Sequence, residues 1–183
     1  MATEKFDGTA CLVLAPTEPY PRFYRRLQVK GGKTPPPGWR HWTVAEPNKR
    51  GVGIEIASGH GWAPVLDDAA SDCWHREAWK RTGTHLPAGT YELVGPRIRK
   101  DNPHDLEQHE LWRHASKPIE GINSVHRLVG QFTPHGIHQW MEEVLGHLEI
   151  EGVVWHHPDG RMAKVKRRDF GLVWPVSRKG QST

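Results

Sequence analysis

Residues 148–174 read LEIEGVVWHHPDGRMAKVKRRDFGLVW, and this stretch decides the fold. Two arms rich in apolar residues flank the tripeptide PDG at 158–160, which favours a turn. The pattern predicts a β-hairpin followed by a further strand or turn. On the second arm, Lys164 and Lys166 are two residues apart, so both ammonium groups leave the same face of the strand.

Outward from this hairpin, the chain alternates short strand patterns with two helical ones. Consecutive prolines make residues 31–39, GGKTPPPGW, an irregular loop. Strands are predicted at residues 5–14, 22–30, 51–57 and 89–98, the last of them broken by Gly95-Pro96. Helices are predicted at residues 67–83 and 135–148. The sequence therefore predicts an α+β fold dominated by antiparallel strands, with a few helices.

The length and composition of the chain limit the kinds of protein that it can be. Its 183 residues suit one domain with a sizeable core, and no apolar run is long enough to span a bilayer. Cys11 and Cys73 are too few for a disulfide framework, and no signal pattern opens the chain, so we expect a cytoplasmic protein with no membrane partner. The net charge of +4 is compatible with a polyanionic partner such as nucleic acid.

Four short charged motifs follow one another along the chain. They are KFDG at 5–8, YELVG at 91–95, EGVVW at 151–155 and KVK at 164–166. Nucleotide transfer through a covalent lysine needs such a set. An unprotonated amine attacks the α-phosphorus, lysines and a divalent metal offset the phosphate charge, and carboxylates hold the metal and the ribose hydroxyls.

Each motif taken alone also has an ordinary structural interpretation. Lys5 beside Glu4 and Asp7 can be interpreted as a surface ion pair, and Glu92 as the partner of an arginine such as Arg97. Glu151 can be interpreted as a solvated strand residue, and KVKRR as a solvated basic face. The occurrence of all four motifs in this order favours the chemical interpretation.

The motif set resembles the ATP-dependent polynucleotide ligase superfamily of covalent nucleotidyltransferases, which includes mRNA capping enzymes. KFDG, YELVG, EGVVW and KVK match motifs I, III, IV and V of that superfamily, and RRLQVKGG at 25–32 loosely matches motif Ia. DNA ligases usually carry arginine where this chain has Ala10, and EKFDGTA is more similar to RNA ligases. The resemblance therefore points to an ATP-dependent RNA ligase.

The resemblance also implies a role for individual side chains. Lys5 would carry AMP on Nζ, and Asp7 would lie near the departing or sealed end. The implied catalytic residues are Lys5, Asp7, Lys164 and Lys166. Glu4 would contact adenine, Glu92 the ribose hydroxyls, and Arg26 (with Arg25 as the alternative) ribose or phosphate. The other implied nucleotide contacts are Lys5, Glu151, Lys164 and Lys166. Glu151 would engage Mg²⁺ or Mn²⁺, and Trp112 is a candidate to stack on adenine.

The implied fold is the adenylation domain of the ATP-grasp-like ligase fold over residues 1–183. The 17 residues after Lys166 are too few for a C-terminal OB domain, and the resemblance leaves open whether strands upstream of Met1 are missing. The implied reaction uses ATP to seal 5′-phosphate to 3′-hydroxyl RNA ends, as in RNA repair. The alternatives are a DNA ligase, a GTP-using capping-type nucleotidyltransferase and a non-catalytic module that binds nucleic-acid ends. The sequence leaves the oligomeric state open.

Overall fold

The computed structural model describes residues 1–17, 22–41, 59–99, 102–120, 133–159 and 161–176. The strands in these ranges are β1 (Ala2–Glu4), β2 (Thr9–Val13), β3 (Phe23–Val29), β4 (Arg40–His41), β5 (Gly59–Pro64), β6 (Gly89–Val94), β7 (Glu110–Arg113), β8 (Gly152–His156) and β9 (Met162–Lys166). The α-helices are α1 (Cys73–Thr82) and α2 (Pro134–His147). Every strand pair is antiparallel, which confirms the predicted α+β class.

The chain divides into two compact units. The three-stranded unit consists of Met1–Asp7, Arg99–His104 and His114–Thr183. The six-stranded unit consists of Gly8–Ile98 and Asp105–Arg113. The predicted strand at 51–57 lies outside the described residues.

The three-stranded unit is built on the predicted hairpin. Strand order is β1–β8–β9, and Gly152 lies opposite Lys166 across the hairpin. Helix α2 begins where Thr133 Oγ1 accepts the Gly136 amide at 3.0 Å. Its Met141 and Leu145 are buried in one cluster with Ala2 of β1 and Val153 of β8. The helix therefore covers one face of this sheet.

The six-stranded unit has the strand order β4–β5–β3–β2–β6–β7. Its buried core joins Ala78 of α1 to Cys11 of β2 and to Tyr91 and Leu93 of β6. Because side chains alternate along a strand, Ala10 and Glu92 lie on the face opposite this core. No helix in the described part of the chain is long and apolar enough to cross a membrane.

Two predicted elements have different bounds in the structure. The strand predicted at 5–14 is interrupted, since β1 ends at Glu4 and β2 begins at Thr9. Gly8 sits in this interruption, where a Cβ atom would lie 2.2 Å from the Leu93 carbonyl oxygen. The helix predicted from residue 67 becomes α-helical only at Cys73. Just before it, Asp72 is buried and accepts the Leu66 amide at 3.0 Å.

Candidate functional site

In the three-stranded unit, the Glu151 carboxylate lies between two of the predicted lysines. Lys5 Nζ donates to Glu151 Oε2, and it also lies 3.2 Å from the Phe6 carbonyl oxygen. Lys166 Nζ is 3.5 Å from Glu151 Oε1. The Glu151 side chain is 10% exposed, so this carboxylate is largely withdrawn from solvent. Motifs I, IV and V, which are far apart in sequence, thus meet at one carboxylate.

Backbone contacts hold this network in place. The Lys5 amide donates to the Gly152 carbonyl oxygen at 2.9 Å, and the Arg167 amide donates to the Glu151 carbonyl oxygen at 2.8 Å. A Cβ atom on Gly152 would lie 2.0 Å from the Val165 carbonyl oxygen. Glycine after Glu151 therefore allows β9 to approach β8 closely, and this approach brings Lys166 to the carboxylate.

Asp7 is held by donors that the motif analysis did not select. Its Oδ1 accepts Arg99 Nε at 2.9 Å, and its Oδ2 accepts the Trp174 indole N–H at 2.9 Å. The Asp7 amide donates to His104 Nε2 at 3.2 Å. Both carboxylate oxygens and the backbone of Asp7 are thus fixed by other parts of the three-stranded unit.

A cavity of about 300 Å³ lies beside this network. Its lining consists of Asp7, Arg99, Glu151, Lys166, Arg168 and Trp174. Two carboxylates, three cationic groups and an indole ring therefore surround one small space. Such a space suits an anionic ligand, in particular a phosphate group accompanied by a divalent cation.

The other two predicted residues of this unit are Lys164 and Glu4. Lys164 is exposed on β9, on the same face as Lys166 and opposite Val154. Glu4 lies opposite Val153, on the side of the sheet that faces α2, and its carboxylate is 3.9 Å from Lys117 Nζ. Burial raises the pKa of Glu4, and the charge of Lys117 partly opposes this shift.

In the six-stranded unit, the predicted residues share one row of the sheet. Glu92 lies between Ala10 and Trp112 on the neighbouring strands. Arg26 lies opposite Trp62, and the β2–β3 register places it beside Ala10. Residues directly opposite one another point to the same face of a sheet. Arg26, Glu92 and Trp112 therefore lie on the face that α1 does not cover.

Arg25, the alternative to Arg26, faces the other way. Its Nε lies 2.6 Å from the carboxylate of the buried Asp72. Asp72 also accepts hydrogen bonds from the Leu66 amide and the Ser71 hydroxyl. Arg25 thus belongs to the structural core around α1, and Arg26 is the arginine of this motif on the face that α1 does not cover.

Sequence reasoning missed Arg99, His104, Arg168 and Trp174 in the three-stranded unit. Only one of these residues had a usable signal, because Arg168 is the second residue after the KVK motif, within a basic run. Arg99 and His104 flank Asn102, which has a left-handed backbone (φ 39°), a conformation that asparagine tolerates better than most residues. Trp174 has no local signal, since it reaches Asp7 only through the folded chain.

Comparison with known proteins places this arrangement in a family. A family model described as RNA ligase 1 matches residues 81–182, which is more than half of the chain. RNA ligase 1 of Rattus norvegicus is 26% identical, with 96% of this chain and 69% of the relative covered. RNA ligase 1 of Mus musculus and of Danio rerio are also 26% identical, over 68% and 69% of their lengths and 96% of this chain. The chain therefore belongs to the RNA ligase 1 family.

Proposed function

We propose that this chain is an ATP-dependent RNA ligase that forms lysyl-AMP on Lys5 and seals 5′-phosphate to 3′-hydroxyl RNA ends. Membership of the RNA ligase 1 family supports the RNA substrate. The observation that carries the mechanism is the contact of Lys5 Nζ with the Glu151 carboxylate, which Lys166 also approaches. The antiparallel sheets are assigned, as part of the same proposal, to an adenylation domain of the ATP-grasp-like fold.

In the first step, Lys5 must lose a proton before it can attack. Glu151 Oε2 is in contact with Nζ and is the acceptor closest at hand for that proton. The neutral amine then forms an N–P bond to the α-phosphorus of ATP, the bond from that phosphorus to the bridging oxygen breaks, and pyrophosphate leaves. Lys166, and Lys164 on the same strand face, offset the negative charge of the phosphates.

The residues present fit a divalent cation. Mg²⁺ is usually bound through one or two carboxylates together with substrate phosphates and water, and the cavity offers the carboxylates of Glu151 and Asp7. Among the described residues, no group of three or more acidic, histidine or cysteine side chains is placed to hold a metal on its own. When bound, the cation supplies additional charge neutralisation at the phosphates. Glu151 would then exchange a lysine contact for the cation.

The remaining steps return Lys5 to its starting state. An oxygen of the RNA 5′-phosphate attacks the phosphorus of lysyl-AMP, and the N–P bond breaks to leave an RNA with AMP at its 5′ end. The 3′-hydroxyl then attacks the RNA phosphorus and releases AMP. Asp7, which Arg99 and Trp174 hold in place, is assigned to the end that departs or is sealed. Because this carboxylate is fixed, it is suited to orient the attacking 3′-hydroxyl or to accept its proton.

The candidates in the six-stranded unit are assigned to the nucleoside. Glu92 would accept hydrogen bonds from the ribose hydroxyls, and its cross-strand neighbour Trp112 supplies an aromatic surface for adenine. Arg26, exposed in the same row of the sheet, would contact ribose or phosphate. The resemblance assigns Glu4 to the adenine side of the nucleotide. Its carboxylate lies 3.9 Å from Lys117 Nζ, and its contact with adenine stays a prediction.

The covalent step can be tested by weighing the intact protein after incubation with ATP and Mg²⁺. We expect a mass gain equal to one AMP, which is lost when pyrophosphate is added. Lys5→Ala abolishes this gain, whereas Lys80→Ala, at an exposed lysine of α1, retains it. A 5′-phosphorylated RNA with a free 3′-hydroxyl should then be joined by the wild type alone.

Other outcomes separate the alternatives. A GMP-sized gain with GTP indicates capping-type chemistry, and equal sealing of DNA ends indicates a ligase without preference for RNA. If no adduct forms and nucleic-acid ends still bind, the chain is an end-binding module and the enzyme proposal is wrong.

A further inference from the structure

Two side chains of β7, Glu110 and Trp112, form a hydrogen bond that the proposed mechanism does not use. The Trp112 indole N–H donates to Glu110 Oε2 at 2.7 Å. The two residues are two positions apart on one strand, so their side chains leave the same face of the sheet. This is the face that α1 does not cover, since Leu111, between them, belongs to the core that packs on α1. Glu110 therefore lies at the edge of the ring that the proposed function assigns to adenine.

The position of Trp112 in the sheet does not by itself set the orientation of its ring. β7 is the last strand of the described sheet, so within that sheet Trp112 has a cross-strand neighbour, Glu92, on one side. A tryptophan ring also has broad freedom about its second side-chain torsion. A hydrogen bond to a carboxylate is shorter and about twice as strong as one between neutral groups. The bond to Glu110 therefore restricts the ring to one orientation.

The backbone that carries Glu110 is anchored to α1. The preceding residue, His109, is 4% exposed, and its ring stacks on Trp74 with the ring centroids 4.7 Å apart. The His109 carbonyl oxygen accepts a hydrogen bond from Arg81 Nη1 at 3.1 Å. Trp74 and Arg81 both belong to α1. Glu110 thus starts from a fixed point of the unit, and Trp112 is held relative to that point.

We propose that Glu110 is a positioning residue that holds the Trp112 ring in the orientation in which it stacks on the nucleotide base. An indole N–H points outward in the plane of its ring, so this hydrogen bond orients the ring without occupying either aromatic face. Glu92 and Glu110 also place two carboxylates beside the ring, which repel phosphates and so favour the base at this position. The proposal rests on the proposed function, which assigns Trp112 to adenine. A ring that is ordered before ATP arrives loses less conformational entropy on binding.

The test measures ATP binding separately from the covalent chemistry. ATP is titrated by calorimetry in EDTA, where no divalent metal supports nucleotide transfer, and lysyl-AMP formation with Mg²⁺ is measured in parallel. Glu110→Leu removes the acceptor of the indole N–H, whereas Glu110→Gln keeps an acceptor oxygen. Glu107→Leu makes the same change at an exposed carboxylate before β7 and is the matched control.

In Glu110→Leu, we expect Kd for ATP to rise about fivefold, as when one more side chain must be ordered on binding. KM for ATP in lysyl-AMP formation should rise by the same factor with the maximal rate nearly unchanged, because base stacking is used equally in the ground and transition states. Glu110→Gln should bind ATP within about twofold of the wild type, since its amide oxygen accepts the indole N–H through a weaker, neutral hydrogen bond. Glu107→Leu should bind as the wild type does.

Substitution of Trp112 decides whether Glu110 acts through the ring. Trp112→Leu should weaken ATP binding, and adding Glu110→Leu should weaken it no further, because no ring is left to orient. The proposal is overturned if the two losses add, or if either single variant binds ATP as the wild type does. It is also overturned if Glu110→Gln binds as weakly as Glu110→Leu, since the carboxylate charge would then act on the nucleotide directly.

The two assays separate this proposal from the proposed function. If the wild type binds ATP but forms no lysyl-AMP, the proposed function fails, and the comparison of Kd values still decides the role of Glu110. If the wild type does not bind ATP, both are overturned.

Discussion

The two units hold their polar residues in different ways. In the three-stranded unit, three of the predicted residues meet, since Glu151 is in contact with Lys5 and 3.5 Å from Lys166. In the six-stranded unit, Arg26, Glu92 and Trp112 are placed by strand register on the sheet face that α1 does not cover. Groups that exchange protons and bonds need fixed mutual contacts, whereas groups that grip a ligand need only a common surface. The proposed functions divide along the same line.

The buried polar groups show the same contrast. Arg167 of the three-stranded unit donates to the carbonyl oxygens of Leu145, Leu148 and Val173, so its buried guanidinium is well satisfied. His75 of the six-stranded unit is buried in α1, and neither ring nitrogen has a hydrogen-bond partner among the described residues. Burial without a partner disfavours the charged form of a group. The stability of the six-stranded unit should therefore depend on pH through His75.

The largest effect should come from breaking the contact network of the three-stranded unit. Glu151→Gln removes the charge that pairs with Lys5 and Lys166 and the acceptor for the lysine proton. We expect the rate of lysyl-AMP formation to fall about a thousandfold, within the range for lost general-base and electrostatic groups. Quench-flow with radiolabelled ATP measures this rate. Glu149→Gln, at an exposed carboxylate two residues earlier, is the control. Equal rates in the two variants would contradict the role of Glu151.

A backbone change tests whether that network depends on the close approach of β8 and β9. In Gly152→Ala, the new Cβ would meet the Val165 carbonyl oxygen at 2.0 Å and Lys166 Cα at 2.9 Å, and both are backbone atoms. We expect a loss of about 3 kcal/mol in the free energy of unfolding of the three-stranded unit. Hydrogen exchange of peptides from β8 and β9 reports it.

The matched control is Gly146→Ala on α2, where a Cβ would meet no heavy atom of the described residues within 4 Å apart from its chain neighbours and the backbone of its own helix. Alanine should stabilise this helix by about 1 kcal/mol because it reduces the backbone freedom of the unfolded chain. If both variants were equally stable, close packing of the hairpin would not position Lys166.

Much of the fold was predictable from local patterns. The β8–β9 hairpin follows from two apolar arms around PDG, and β3, β6 and α2 lie where strand and helix patterns predicted them. The break at Gly8 was not predictable, since it depends on the Leu93 carbonyl of a strand about 85 residues further along the chain. Local sequence carries periodicity and turn preference, but it does not carry the contacts of a distant backbone.

The candidate site was predictable only where chemistry fixes a motif. Lys5, Glu151 and Lys166 could be named because nucleotide transfer restricts residue type and order. Arg99 and Trp174 could not, because their only link to Asp7 is tertiary contact. The row that contains Arg26, Glu92 and Trp112 likewise needs the strand register, which a single sequence does not provide.

A smaller effect should appear when the six-stranded unit is acidified. Burial lowers the pKa of His75 from 6.5 to about 4; Asp72 opposes this shift, and Arg25, His109 and Arg76 add to it. Because the folded pKa is depressed, the stabilising contribution is present above pH 6.5 and is lost as pH falls towards 4. Between pH 7.5 and 5 we expect a loss of about 2 kcal/mol.

This pH dependence can be assigned to one unit. Hydrogen exchange of β2 and β6 peptides at the two pH values should show it in the wild type, and His75→Leu should remove it. His138→Gln, at an exposed histidine of α2, should leave it unchanged. If His75→Leu kept the full wild-type dependence, the loss would arise elsewhere in the unit.

The smallest expected effect, on KM for ATP, is the most direct test of whether the two units have different roles. Glu92→Gln leaves the Lys5–Glu151 contact intact and weakens only the acceptor proposed for the ribose hydroxyls. We expect KM for ATP in lysyl-AMP formation to rise about tenfold with the maximal rate nearly unchanged, as for the loss of one charged hydrogen bond used equally in ground and transition states. Glu107→Gln, at an exposed carboxylate before β7, is the control. Deoxy-ATP, which lacks the 2′-hydroxyl, should raise KM in the wild type and less in Glu92→Gln. A fall in the maximal rate with unchanged KM would instead place Glu92 among the residues that act on the reacting atoms, and the separation of recognition from chemistry would fail.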